Sequence, residues 1–134
     1  MIKLAYSTFG LTNLSFLEAI EAVARAGYEG IELSFHRRQF NPFNLGDADL
    51  DAVQACLRKA AIVPACVATA SHFFTPSRPH EPSLMTLDLA GRKRRIDLVK
   101  RGIRVARRLG VKLVTFGSGF LREEHMRHPA VDAH

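Results

Sequence analysis

The sequence predicts an α/β fold of parallel strand–helix units, with four strands and three main helices. Two observations lead there. The stretches "AVARAGYEGIEL" (22–33) and "RVARRLGVKLVTF" (104–116) are the same kind of unit, a helix end, a glycine and an apolar strand. Each helix also reaches the next strand within a few residues, whereas the strand-to-helix connections are long and irregular. That asymmetry marks a parallel βα array, which handles its ligands at the C-terminal ends of the strands.

The first strand spans 2–8, "IKLAYST", short and partly alternating. Residues 13–27 read as a helix. Ser15 with Glu18 three residues on has the spacing of a capping box. Phe16, Ile20, Val23 and Ala24 make its apolar stripe, and Gly27 stops it. A strand follows at 30–35. Residues 36–47, "HRRQFNPFNLGD", carry Asn-Pro and Gly-Asp punctuation without a period and read as a loop. The second helix covers 48–62, with Asp47 or Asp49 as cap and Leu50, Val53, Cys56, Leu57 and Ala60 inward. Strand 63–71 starts with Pro64, where a missing N–H does least harm.

Residues 74–90 contain Pro76, Pro79 and Pro82 and form a long excursion. The basic helix at 92–108 has Ile96, Val99, Ile103 and Ala106 at helical spacing, with Leu109 close by and Gly110 as its end. The fourth strand, 111–116, runs into the turn Gly117-Ser118-Gly119, which points at a ligand. The tail 121–134 has no assigned structure, and His125, His128 and His134 are expected to be exposed. Four strands with three crossovers make either a small doubly wound sheet or half of an eight-stranded barrel with two open edges. The pattern alone leaves both open.

The 134 residues fit one domain. The net charge of +6 raises nucleic acid as a partner. The excess, however, sits on one helix, where Arg92 to Arg108 oppose the single acid Asp97. No aromatics alternate with these charges, so a stacking platform for single strands is not supported and a solvated helix face is the preferred reading. No apolar run approaches the roughly 18 residues needed to cross a membrane. The start "MIKLAYSTFGL" lacks the pattern of a secretory signal, and the two cysteines form no metal pair or disulfide framework. Cys56 and Cys66 read as small buried hydrophobes. A cytoplasmic location is expected.

The runs "AIEAVARAGYEGIEL" (19–33), "VATASHFF" (67–74) and "RKRRIDLVKRGIRVARRLGVKLVTFGSG" (92–119) resemble the N-terminal half of the xylose isomerase-like TIM barrels. That superfamily contains sugar isomerases and epimerases, inosose dehydratases and abasic-site nucleases of the endonuclease IV type. The likeness covers residues 2–120, and no single motif in it is diagnostic. It implies half of a TIM (β/α)8 barrel and a function in metal-dependent proton transfer on a keto or hydroxy sugar or a cyclic polyol. Dehydration of a cyclic polyol starts with the same proton abstraction.

Sugar-active members bind one divalent cation, often manganese or magnesium, through two glutamates, an aspartate and a histidine on later strands. None of these ligands maps onto the 134 residues, so no metal ligand or catalytic residue is assigned. The chain by itself is expected to be catalytically incomplete. Its expected partners are a small-molecule sugar and a second copy or a complementary half-barrel that covers its edges. Assembly and nucleic-acid binding are the alternatives to the enzymatic reading.

Five residues are candidates for substrate binding: Glu32, His36, His72, Phe73 and Ser118. Glu32, Ser34 and His36 share one strand face, with Ile31, Leu33 and Phe35 on the other. A carboxylate in a barrel mouth needs a partner: a ligand, a metal-bound water or an arginine, or, as a purely structural pair, Arg37 or Lys3. His72 ends the third strand and can orient a sugar hydroxyl or shuttle a proton. Phe73 or Phe9 can pack on the apolar face of a sugar or belong to the core. Abasic-site nucleases carry a zinc-binding histidine at the fourth strand, where this chain has Phe116-Gly117-Ser118. That departure argues against a three-zinc site.

Overall fold

In the computed structural model, which describes residues 3–120, strands and helices alternate in the expected order. Strands β1 (Ala5–Ser7), β2 (Gly30–Ser34), β3 (Val63–Ala68) and β4 (Val114–Thr115) alternate with helices α1 (Phe16–Arg25), α2 (Asp47–Lys59) and α3 (Leu89–Leu109). The expected tail and its histidines His125, His128 and His134 lie outside the described residues.

All strand pairs are parallel and the sheet order is β1-β2-β3-β4. Helix α2 packs against both α1 and α3, so the three helices form one layer on one side of the sheet. A doubly wound sheet would carry helices on both faces. This sheet leaves one face open, as a segment of a (β/α)8 barrel does.

Local chemistry explains where the elements begin and end. Ser15 and Glu18 form the capping box, with Ser15 N–H to Glu18 Oε2 at 2.9 Å and Glu18 N–H to Ser15 Oγ at 3.3 Å. The cap of α2 is Gly46, not Asp47 or Asp49, and Asp49 Oδ2 accepts the Gly46 N–H at 2.9 Å. Asp88 caps α3, and Gly110 ends it at φ 73°, a left-handed conformation that favours glycine. The first strand is shorter than its apolar pattern because Thr8–Leu11 turn into a 3-10 helix.

The core lies between the sheet and the helices. Ile31, Leu33, Phe35 and Val67 meet Ile20, Val23, Val53, Leu57, Leu98 and Val105. Phe40, from the β2–α2 loop, stacks on Phe16 with ring centroids 3.9 Å apart.

Two core expectations are corrected. Ile96 and Ile103 are 38% and 54% exposed, while Arg95, Leu98, Gly102, Val105 and Leu109 form the inward face of α3. The helix is rotated because Gly102 allows close contact with the sheet and Arg95 finds carbonyl partners beneath it. Cys66 is not a buried hydrophobe either. It is half-buried on the open face of the sheet, and its thiol is a hydrogen-bond donor.

Candidate functional site

The parallel register brings Ser7, Glu32 and Cys66 together on the open face of the sheet. Ser7 pairs with Glu32 across β1–β2, and Glu32 with Cys66 across β2–β3. Ser7 Oγ donates to Glu32 Oε1 at 2.6 Å, and Cys66 Sγ donates to Glu32 Oε2 at 3.3 Å. One donor on each oxygen fixes the plane of the carboxylate. Neither Arg37 nor Lys3 is its partner, since Lys3 pairs with Glu29 at 3.6 Å. Burial, followed by the hydrogen bond to Glu32 and its charge, pushes the Cys66 thiol up to about 11. The thiol therefore stays protonated at neutral pH and serves as a donor rather than a nucleophile.

Glu32 lines an inner cleft of about 540 Å³ with Ser7, Ser34, Ser71, Thr115, Gly117 and the ring of Phe9. Ser34 is held by its backbone N–H, which donates to the buried Thr8 Oγ1 at 2.9 Å. An outer cleft of about 850 Å³ is lined by His36, Arg37, Arg38, His72, Phe35 and Phe73. Phe9 and Ala70 belong to both linings, so the clefts adjoin. Both sit at the C-terminal ends of the strands.

Four of the five sequence candidates divide between these places. Glu32 is in the inner cleft, and His36, His72 and Phe73 are in the outer one. Ser118 is exposed and lines neither, while its carbonyl accepts the Leu84 N–H at 3.1 Å. The His72 Nδ1 lies 2.9 Å from Ser71 Oγ, and its ring is 6.3 Å from that of Phe9. Phe73 is buried and packs edge-on against Phe74, so it presents little of its ring to the cleft.

Ser7, Cys66 and Arg38 escaped the sequence reading. Ser7 could have been found by aligning the strand ends. The pairing of Cys66 depends on a register shift between Ile31 and Glu32, which no periodicity reveals.

The basic helix is largely spent within the fold. Arg101 and Arg104 share Asp97, Arg108 pairs with Asp51, and Arg92 donates to the Thr86 carbonyl. Among the described residues no three His, Cys, Asp or Glu side chains converge. No ligand set for the manganese or magnesium implied by the resemblance lies among the described residues. No helix among the described residues is long and apolar enough to cross a membrane.

A model of the family described as "Xylose isomerase-like TIM barrel" matches residues 20–132. The chain belongs to this family. The open sheet face and the single helix layer are what its barrel architecture requires of a segment. Three solved structures have the same fold. A D-psicose 3-epimerase crystallised in the presence of D-fructose aligns with a TM-score of 0.64 at 15% identity, covering 92% of this chain and 43% of that one. A family 2 AP endonuclease from Brucella melitensis aligns at 0.61 and 18% identity, covering 92% and 43%. A xylose isomerase domain protein from Planctomyces limnophilus aligns at 0.63 and 16%, covering 98% and 44%. The chain thus spans less than half the length of these structures. No curated protein matches the sequence.

Proposed function

We propose that this chain forms the substrate side of the mouth of a sugar isomerase or epimerase-type barrel, acting in proton transfer on a keto or hydroxy sugar or a cyclic polyol. The Glu32 carboxylate carries this reading. It stands at the strand C-terminal ends on the open face, held by Ser7 and Cys66, in a cleft rich in hydroxyls. A carboxylate fixed in this way accepts hydrogen bonds from neighbouring sugar hydroxyls. The Phe9 ring beside it offers an apolar plane to the C–H face of the sugar.

The His72 nitrogen not engaged by Ser71 can donate to or accept from a hydroxyl in the adjoining cleft. Family membership supports the same reading, as do the epimerases among the structural relatives. Proton transfer between adjacent sugar carbons needs a positioned base. In this reading the described residues bind and orient the sugar. Dehydration of a cyclic polyol begins with the same abstraction and is the alternative within this reading.

The test is saturation-transfer NMR on the 134-residue chain with D-fructose and myo-inositol, using glycerol as control. We expect binding of one or both ring compounds and its loss in Glu32→Gln, whose amide would set an N–H against one of the two donors. Equal signals from all three compounds, or binding indifferent to Glu32→Gln, would sink the proposal.

A second reading is assembly. Val63 at the start of β3 and Leu113 just before β4 are 60% and 62% exposed, and the outer edges of β1 and β4 are unpaired among the described residues. Exposed strand edges beside apolar side chains are templates for pairing. A second copy could add four strands and close an eight-stranded barrel. Light scattering at micromolar concentration is expected to give the mass of a dimer, and a stable monomer would rule this assembly out.

A further inference from the structure

The glycines of the turn at 117–119 answer to the β3–α3 connection behind it. Gly117 lines the inner cleft, yet the space that a Cβ on it would need is filled by the His80 imidazole. A Cβ on Gly119 would meet Ser83 in the same way. The Leu84 N–H donates to the Ser118 carbonyl at 3.1 Å, and the His80 ring meets that of Phe120 edge-on with centroids 5.1 Å apart. The connection is therefore docked onto the turn, and the missing side chains of Gly117 and Gly119 let the two segments approach.

His80 is the centre of this contact, and its conformation is an unfavourable one. Its φ is 65°, left-handed backbone that few residues with a side chain adopt, and its Nδ1 is buried with no hydrogen-bond partner among the described residues. Backbone strain persists only where the surroundings over-determine it. Two contacts do so here. The His80 N–H donates to the Ser71 carbonyl at 2.8 Å, and the ring sits on Gly117. Ser71 follows β3 and Gly117 follows β4, and both line the inner cleft, whereas His80 does not. The register of β3 with β4 covers only two residue pairs, so the wall beyond Thr115 depends on other contacts. His80 thus ties the two walls together from outside the cleft.

We infer that His80 is a positioning residue for sugar binding: its ring, wedged on Gly117, and its amide, bonded to Ser71, set the separation of the β3 and β4 walls of the inner cleft. This rests on the sugar-binding reading of that cleft. His80 touches no ligand and acts through Gly117 and Ser71.

The experiment combines amide hydrogen exchange with NMR titration of D-fructose and myo-inositol. It compares the 134-residue chain with His80→Gly, His80→Asn, Gly117→Ala and the His80→Gly/Gly117→Ala double variant, amide dispersion showing that each is folded. Glycine and asparagine both accept left-handed backbone but remove the ring, so they test the ring apart from the strain. In each single variant the Leu84 amide should exchange about tenfold faster than in the parent, while the β2 amides keep their protection. The ring compound that binds the parent should bind about tenfold more weakly. The double variant should be no weaker than either single one, because both substitutions remove the same contact.

Parent affinity in His80→Gly and His80→Asn overturns the inference and leaves the sugar reading standing, even where Leu84 exchanges faster. Weaker binding with Leu84 exchange unchanged also overturns it, since His80 then does not act through the wall. Additive losses in the double variant do the same, because they mark two separate structural effects. A parent that binds neither compound removes the sugar reading and the positioning role with it.

Discussion

Replacing Arg95 with leucine is expected to destabilise the chain by about 3 kcal/mol, because several buried carbonyls lose their donor at once. Arg95 is 2% exposed on the inward face of α3. Its Nε donates to the Pro82 carbonyl at 2.8 Å, and its terminal nitrogens reach the carbonyls of Ala70, Ser71 and Glu81 at 3.4 to 3.5 Å. The guanidinium also lies 5.1 Å from the centre of the Phe74 ring. Burial lowers its pKa, the sign expected when a cation is withdrawn from water without a carboxylate partner. These carbonyls belong to the β3–α3 connection, the segment that carries His72 and Phe73.

Arg95 therefore acts on the candidate site as a positioning residue. Urea unfolding monitored by circular dichroism measures the loss. Arg95→Lys should recover part of it, since an ammonium keeps the charge but cannot span the same carbonyls. Stability within about 0.5 kcal/mol of the parent for Arg95→Leu would place Arg95 among ordinary surface substitutions and refute this account.

Arg95 also marks the limit of what the sequence discloses. The order of elements, the short helix-to-strand turns and the position of the ligand-binding end followed from glycine placement and apolar period. These signals are local, and so they were legible. The inward face of α3 was not. Ala106 and Leu109 were read as inward and are buried, but Ile96, Val99 and Ile103 satisfy helical spacing as well as Leu98 and Val105 do, and hydrophobicity ranks an arginine last for burial. What decides is tertiary: carbonyls waiting under Arg95 and a sheet approaching Gly102. The same holds for the site. Glu32 stood out as a carboxylate in an apolar strand, whereas Ser7 and Cys66 became its partners only through the register of three strands. Arg37, like Lys3, was one of the structural partners open to Glu32 beside a ligand or a metal-bound water. Once Ser7 and Cys66 hold that carboxylate, the arginine is free, and the outer cleft takes on its charge.

Gly102 gives the second large effect. A Cβ at this position would lie 2.9 Å from Thr69 Cγ2, 3.4 Å from Val114 Cγ1 and 3.6 Å from Phe35 Cε2. Helix propensity favours alanine over glycine by about 1 kcal/mol. The contact opposes it. Thr69 is buried, its Oγ1 donates to the Thr115 carbonyl at 3.2 Å, and its backbone N–H donates to the same carbonyl at 3.0 Å, so its methyl cannot swing aside. Overpacking a tight interface costs about 1–3 kcal/mol. Gly102→Ala is therefore expected to end between neutral and about 2 kcal/mol destabilised, and Gly102→Leu about 3 kcal/mol destabilised, as its larger side chain pushes α3 off β3 and β4. Because β4 is only two residues long, that displacement should also break its pairing with β3 and disorder the Thr115–Gly117 wall of the inner cleft. Hydrogen exchange reads this directly. In Gly102→Leu the Thr69 amide, which bonds to the Thr115 carbonyl, should lose protection before the β2 amides do, and equal loss in both strands would show that the effect is global rather than seated at this contact.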